Sequence, residues 1–405
     1  MRKHSLLLLS LMLLPIGSFA QQKDFSYKFY GQVRTDLFYN SRANEETVDG
    51  LFYMYPKDKV YDENGKDLNA TANGSFYTLY TRLGVDVQGP KLGNAKTSAK
   101  VEFDFRGTGT SFSVVRLRHA YLNLDWGKSA VLLGQTWHPL YGDVSPQILN
   151  LNMGAPFQPF SRAPQIRYRY KTGDIQITGA AVWQSQYLSQ GPDGKSQSYI
   201  KNSCVPEIYV GLDYKDANWL VGAGIEMVSL KPRTQATVDG KTYKVDERVT
   251  SLSYEVHMKY TSPRWYVAAK SVLGSNLTQT SMLGGYGVKA TDSRTGEQEY
   301  SPNRNSSSWL NIVYGKKWKP AVFFGYMKNL GTSDAVTKMY GTGTNVDQLV
   351  SATAELTYNV PHWKFGVEYN FSSAWYGSLN QSNGKIIDTH SVSNNRLVAT
   401  ALFTF

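Results

Sequence analysis

Hydrophobic and polar residues alternate along many short segments of this chain. The alternation is strict in residues 77–87, 99–105, 350–358, 363–371 and 397–405. One face of each segment carries no charged residue, whereas the other face and its flanks hold Arg82, Glu102, Glu355, Glu368 and Arg396. Period-two alternation of this kind predicts β-strands that separate two environments. An Arg or Lys facing lipid at the membrane midplane costs about 2–4 kcal/mol, which explains a face without charge.

The same pattern over the whole chain predicts sixteen strands. They are expected to begin near residues 26, 76, 96, 114, 129, 164, 174, 205, 218, 249, 264, 307, 318, 348, 363 and 394. Short turns alternate with mostly long loops, as in an antiparallel transmembrane β-barrel with both termini on the periplasmic side. The segments near 205 and 318 are the least regular, so fourteen and eighteen strands stay open. Alternation alone also fits a soluble β-sandwich.

Both ends of the chain favour the membrane. Arg2 and Lys3 precede an apolar run, and Ser18 and Ala20 supply the small residues of a cleavage site, so residues 1–20 are expected to be a secretory signal peptide. Residues 21–405 then form one barrel domain in the cell outer membrane. At the other end, Phe405 resembles the terminal aromatic residue by which the barrel-assembly machinery recognises outer-membrane proteins. The expected surroundings are outer-membrane lipid and lipopolysaccharide.

The composition agrees with an exported barrel. Cys204 is the only cysteine, so the chain has no intrachain disulfide and no cysteine-based metal site. The formal net charge is +11. Acids and bases alternate on the strands and do not cluster on a helix, so the basic balance does not indicate a nucleic-acid partner.

One connection differs from the other loops. Residues 138–163 are rich in proline and apolar side chains, including Tyr141, Phe157 and Phe160, and contain Asp143 as their one acid. A sixteen-stranded barrel is too wide for side chains to fill and leaves an aqueous lumen. We therefore expect this loop to fold into the lumen and narrow it. The alternatives are a lid across the barrel mouth and a contact between subunits.

The polar faces of the strands carry many arginines. The residues expected to line the pore and to favour anions are Arg34, Arg82, Arg106, Arg118, Arg162, Arg167, Arg169 and Arg396. Arginine forks bind carboxylate and phosphate, and rings of bases suit anion passage. However, Asp36, Asp86, Glu102 and Asp104 lie on the same faces, so simple charge pairing is the competing interpretation.

Enzymatic motifs are missing from the sequence. None of the six histidines lies in H-E-x-x-H, and no G-x-S-x-G is present. His119 and His138 flank the fifth predicted strand, where polar wall residues are the simpler interpretation. In the first loop, Asp58, Asp62, Glu63, Asn64 and Asp67 do not have the spacing of an EF-hand calcium loop. We expect no catalytic activity, metal or cofactor; a surface-interaction or adhesin barrel and a barrel hydrolase remain the alternatives of another class.

Three segments carry a family resemblance: residues 116–144, which contain His-Ala-Tyr and Gly-Gln-Thr-Trp, residues 30–40 and residues 100–107. They resemble the DcaP-type outer-membrane porins. The resemblance implies a sixteen-stranded homotrimeric porin for passive diffusion of small anionic solutes such as dicarboxylates. Phosphate-selective porins share part of the pattern, but their lysine-rich binding loop is not found here. The Ala-Gln-Gln at the predicted cleavage site also resembles outer-membrane proteins of Bacteroidetes.

Overall fold

The computed structural model describes residues 24–105 and 114–405. The predicted signal peptide and Arg106 lie outside the described residues. Sixteen strands form the barrel wall: β1 Ser26–Asn40, β2 in two segments Asn73–Tyr77 and Arg82–Leu92, β3 Ala95–Phe105, β4 Val115–Asp125, β5 Ser129–Trp137, β6 Arg162–Thr172, β7 Ile175–Val182, β8 Glu207–Lys215, β9 Trp219–Leu230, β10 Val249–Thr261, β11 Trp265–Ser275, β12 Gln298–Tyr314, β13 Trp318–Gly331, β14 Val346–Val360, β15 Trp363–Leu379 and β16 Ile386–Thr404.

Each strand pairs antiparallel with its neighbour in sequence, and the last strand pairs with the first. The β1–β16 seam runs from Gln32 opposite Thr404 to Asn40 opposite Arg396. Beyond it, the backbone of Gly31 exchanges hydrogen bonds of 2.9 and 3.1 Å with that of Phe405. Closure leaves no sheet edge in the wall, as a lipid environment requires. The predicted sixteen-stranded antiparallel barrel is confirmed.

The side chains of each strand alternate between a lipid-facing surface and a lumen. On β15, Trp363, Val367 and Tyr369 are 44 %, 58 % and 43 % exposed on the outside, whereas Glu368 and Asn370 are buried inside. The last strand repeats the pattern, with Leu397 outside and Arg396 inside. Among the described residues, no helix is long and apolar enough to cross a membrane.

Aromatic pairs mark the short-turn end of the barrel. Between β9 and β16, each strand that leaves a short turn begins with a tryptophan, which contacts an aromatic ring on its neighbour. The ring centroids are 4.6–4.8 Å apart in the pairs Trp219–Tyr260, Trp265–Tyr314, Trp318–Tyr358 and Trp363–Phe403. Girdles of this kind lie at the interface between lipid and water.

The prediction of one uninterrupted strand from residue 77 to 87 is wrong. A turn, in which the Thr81 N–H donates to the Thr78 carbonyl, separates the two segments of β2. Above this break Phe76 faces outward at 61 % exposure, and Tyr77 pairs with the inward-facing Asp36. Tyr77 is therefore not on the lipid face. The break lets Tyr80 turn into the lumen, where arginine side chains surround its ring.

β4 contains a β-bulge. The β3–β4 register shifts between Glu102 and Phe103, because Glu102 lies opposite His119 while Phe103 lies opposite Leu117. Arg118 is the extra residue of the bulge. Arg118 and His119 consequently both point inward, at 2 % and 7 % exposure. A bulge thus adds one arginine to the lumen without exposing a charge to lipid.

Several strands extend further at the long-loop end than alternation predicts. β12 begins at Gln298 and β16 at Ile386, whereas the sequence predicts starts near 307 and 394. Two further strands, Gly284–Thr291 and Lys338–Thr342, extend the sheet there. Here the strands also pack on the loops, since Tyr286 is buried among Tyr199, Tyr300 and Tyr340, so the ladder continues without the alternation that lipid imposes. A short helix, α1 Ser198–Ser203, lies in the loop between β7 and β8.

Val367→Arg tests the orientation of the wall. Val367 lies on the outer face, four residues from the Trp363 girdle, and the change should lower the free energy of unfolding by about 2–4 kcal/mol. The matched control is Asn123→Arg, which places the same charge on the inner face of β4 and should change stability little. Denaturant unfolding in lipid measures both. Equal effects of the two substitutions would contradict the assignment of faces.

Candidate pore constriction and its charged lining

The loop between β5 and β6, residues 138–161, lies against inward-facing side chains on the opposite side of the barrel. Three hydrogen bonds connect it to β11 and β12: Tyr266 to the Ser145 carbonyl (2.5 Å), Gln147 N–H to Asn311 (2.8 Å) and Trp309 to Gln158 (2.8 Å). Lys270 of β11 also donates to the carbonyls of Leu140 and Tyr141. The loop ends are attached at β5 and β6, so the segment crosses the interior. We name it the crossing loop.

Two carboxylates hold the middle of the crossing loop. The Leu149 N–H lies 2.7 Å from Glu355 Oε2 and 2.8 Å from Glu368 Oε2, and the Asn150 N–H donates to Glu368 at 3.0 Å. From the other side, Arg34 of β1 donates to the Leu149 carbonyl at 2.6 Å. The peptide is therefore fixed between β1 and the β14–β15 pair by charged partners, which form the stronger class of hydrogen bond.

Aromatic rings make the crossing loop compact. Tyr141 stacks on Trp137 at 4.0 Å with an angle of 9° between the rings, and Phe160 meets the same tryptophan edge-on at 5.1 Å. Phe157 packs against Phe323 of β13. Tyr141, Phe157 and Phe160 are all at most 5 % exposed. Burial raises the pKa of Tyr141 to about 12, so its hydroxyl stays protonated in neutral solution.

The first loop also enters the mouth of the barrel. Its hairpin consists of Asn44–Thr47 and Phe52–Pro56 and packs on the crossing loop. Phe52 contacts Phe160 edge-on at 5.0 Å, and Asn152 donates to the Tyr53 carbonyl at 2.7 Å. The strand alternation does not predict a place in the lumen for this hairpin. The apolar run at residues 51–55 is the signal that indicates it.

A cavity of about 500 Å³ lies between the crossing loop and β1–β5. We name it the basic chamber. Tyr80 lines the basic chamber, and three bases surround its ring. The guanidinium groups of Arg34, Arg82 and Arg118 lie 5.5, 4.9 and 5.5 Å from the centroid of the Tyr80 ring. Lys100 lines the same cavity. Cation–π contacts of this type hold several like charges around one ring face or edge.

Acidic side chains lie behind these bases. Arg118 contacts Glu102 at 2.5 Å and Asp104 at 2.9 Å, and Arg82 lies 3.4 Å from Glu102. The exposure of the side chains differs: Arg82 and Lys100 are 20 % and 24 % exposed, against 6 % for Glu102 and 0 % for Asp104, while Asp86, the partner of Lys100, is 46 % exposed but does not line the cavity. Arg82 and Lys100 therefore present more surface to the cavity than Glu102, which also lines it. Arg34 is itself paired with Asp36 at 2.7 Å.

The other predicted arginines lie outside this group. Arg162 is fully buried and lies over Trp137 at 4.6 Å, with one bond of 2.9 Å to Tyr187. Arg167 donates to the Trp137 carbonyl at 2.5 Å. Near it, Arg169 lies 3.9 Å from the exposed Asp143 of the crossing loop. Arg396 is buried beneath the first-loop hairpin, where it donates to Asn40 and the Gly50 carbonyl. The seven predicted arginines among the described residues thus do not form one ring.

Comparison with known proteins decides the family. The model of the DcaP outer membrane protein family matches residues 15–224, more than half of the chain. The chain belongs to the DcaP outer membrane protein family. No curated protein matches its sequence. The outer membrane channel DcaP of Acinetobacter baumannii superposes with a TM-score of 0.68 at 20 % identity, over 96 % of this chain and 99 % of that one.

More distant porins share the fold of this DcaP-family chain. The trimer form of Vibrio cholerae OmpT gives a TM-score of 0.54 at 13 % identity, over 94 % of this chain and 100 % of that one. A Salmonella typhi OmpF complex with daunomycin gives 0.51 at 12 % identity, over 94 % and 97 %. At these identities the comparison establishes the fold.

Three residues of the chamber in this DcaP-family chain are not among the predicted site residues: Tyr80, Lys100 and Trp137. Alternation does not reveal the β2 break, so it does not indicate that Tyr80 faces the lumen. Arg116 pairs with Asp104 and also lines a second cavity of about 430 Å³ nearer the mouth. That upper cavity also contains Glu45, Glu46 and Lys195.

Glu368→Ala tests the anchoring of the crossing loop. The Asn150 N–H loses its acceptor, whereas the Leu149 N–H keeps Glu355, so local opening at Asn150 should become easier by about 1–3 kcal/mol. Hydrogen exchange of the Asn150 amide measures the change. Asp347→Ala removes another buried acid, which pairs with Lys328, and should leave this amide protected. Unchanged exchange at Asn150 in the Glu368 variant would contradict this anchoring role.

Proposed function

We propose that this protein is a passive outer-membrane channel for small hydrophilic solutes and that it prefers anions such as dicarboxylates. The observation that carries the preference is the exposure of Arg82 and Lys100 beside the covered Glu102 and Asp104. An anion in the basic chamber meets the bases first. Confinement by low-dielectric walls strengthens this local field relative to bulk water.

The net charge of the chamber does not by itself give a preference. The four lining bases Arg34, Arg82, Lys100 and Arg118 are balanced by their four ion-pair partners Asp36, Asp86, Glu102 and Asp104. The preference then depends mainly on which charges face the solute. The two partly exposed bases, Arg82 and Lys100, suit a small solute with two carboxylates. Together they do not form a closed set of donors around a phosphate.

The crossing loop supports a passive mechanism with size selection. Its backbone is bonded to β1, β11, β12, β14 and β15, so it narrows the lumen as a fixed partition. Solutes pass beside the loop, along the arginines of β1–β4. Selectivity from pore width and lining charge needs no conformational cycle.

The proposal includes the oligomeric state of the channel. The fold neighbour OmpT is described in a trimer form. We infer a homotrimer in outer-membrane lipid and lipopolysaccharide. Phe405, 55 % exposed at the short-turn end, is the group that the barrel-assembly machinery would recognise.

Arg82→Glu with Lys100→Glu tests the ion preference. In planar bilayers under a KCl gradient, the wild type should give a reversal potential that favours chloride. The double change converts two exposed positive charges to negative ones, and the chloride-to-potassium permeability ratio should fall on the order of tenfold. Succinate should reduce the wild-type chloride current at lower concentration than phosphate.

The control is Lys59→Glu with Lys66→Glu, which changes two exposed bases of the first loop and should leave the ratio unchanged. An unchanged ratio in the chamber variant would remove Arg82 and Lys100 from the mechanism. A folded wild-type barrel without conductance would overturn the channel function itself.

A further inference from the structure

Three buried side chains converge behind the start of the crossing loop. His138 is the first residue after β5, Glu207 the first residue of β8, and Glu226 lies within β9. His138 Nε2 is 3.0 Å from Glu207 Oε2 and 3.2 Å from Glu226 Oε1. All three side chains are at most 1 % exposed. They come from distant parts of the sequence, which is why spacing alone predicts no site here.

The cluster has an excess of negative charge. Within residues 24–105 and 114–405, no lysine or arginine forms an ion pair with Glu207 or Glu226. Both carboxylate oxygens of Glu226 are buried without a hydrogen-bond partner. Two buried carboxylates beside a single imidazole are costly, because one histidine cation can balance only one of the two negative charges. Glu226 therefore presents unused lone pairs towards His138 and Glu207.

The donor set is that of a transition-metal site. All three ligand atoms lie within 4.8 Å of one another. Zinc binds imidazole nitrogen and carboxylate oxygen at about 2.0–2.2 Å, which places neighbouring donors roughly 3 Å apart. Calcium prefers six to eight oxygen ligands, and an imidazole does not serve it. We propose that His138, Glu207 and Glu226 bind one divalent transition-metal ion, with Zn²⁺ as the representative ion.

A second layer of contacts positions the ligands. Gln184, just after β7, donates to Glu207 Oε1 at 2.6 Å and to Ser189 at 2.8 Å, which fixes the carboxylate. On the other side of the imidazole, the Leu140 N–H donates to Nδ1 at 3.2 Å. A metal on Nε2 requires the ring proton on Nδ1, so this N–H must turn away on binding. The ion is thereby coupled to the first turn of the crossing loop.

The binding experiment uses the folded, full-length mature protein in detergent. After chelator treatment, the protein is titrated with Zn²⁺ alone, and bound metal is measured by calorimetry and elemental analysis. One ion per chain is expected, with an X-ray absorption spectrum of one nitrogen and two carboxylate ligands. A wild-type protein without stoichiometric Zn²⁺, or with an equal preference for Ca²⁺, would overturn the proposal and leave a proton-sharing cluster.

Substitutions of single residues test which side chains bind the ion. Glu226→Gln should weaken binding by at least about 100-fold, and Gln184→Ala by about 10–100-fold, since loss of an outer partner has that effect. The control is His390→Asn, which removes an exposed histidine beside Asp58 and should leave the stoichiometry at one. If only the His390→Asn control lost Zn²⁺ binding, the ion would be bound at the surface near His390, which would contradict the proposal. Circular dichroism verifies that each variant is folded; the result does not depend on channel function.

Discussion

The exclusion of charge from the lipid-facing surface is the constraint on which the rest of this structure depends. Along the lipid-facing part of the strands the outer side chains carry no charge, so acids and bases there are confined to the lumen. There they must be paired or hydrogen-bonded, because burial of an isolated charge is costly. Arg34 with Asp36 and Arg118 with Glu102 and Asp104 are the result. In the proposed channel, any ion preference then depends on which of these paired charges face the solute.

The crossing loop influences which charges face the solute. Its buried backbone N–H groups need acceptors, and Glu355 and Glu368 supply them on β14 and β15. These acids are consequently covered by the loop. The bases opposite them, above all Arg82 and Lys100, keep a face towards the basic chamber. A requirement of backbone hydrogen bonding therefore holds Glu355 and Glu368 against the loop, away from the basic chamber.

The sequence predicts the wall well and the interior poorly, for a physical reason. Lipid imposes a strict period on the outer face, so strands such as β15 and β16 and the bulge at Arg118 are visible in the alternation. No such period governs the lumen. The break that turns Tyr80 inward, the packing of Phe52 on Phe160 and the burial of Arg396 under a hairpin all depend on contacts between distant segments. Arginines can be placed on the inner face from sequence, but their exposure cannot.

The most direct test of the account measures the electrostatic field in the basic chamber. Gln32 is an uncharged residue that lines this chamber, and Cys204 is exposed on the native protein. The test compares the labelling of Gln32→Cys, in a Cys204→Ser background, by anionic and cationic thiosulfonate reagents of similar size, with Cys204 of the wild type as reference. The account predicts that the ratio of the anionic to the cationic labelling rate is higher for the chamber cysteine than for Cys204. A lower ratio for the chamber cysteine would contradict the account.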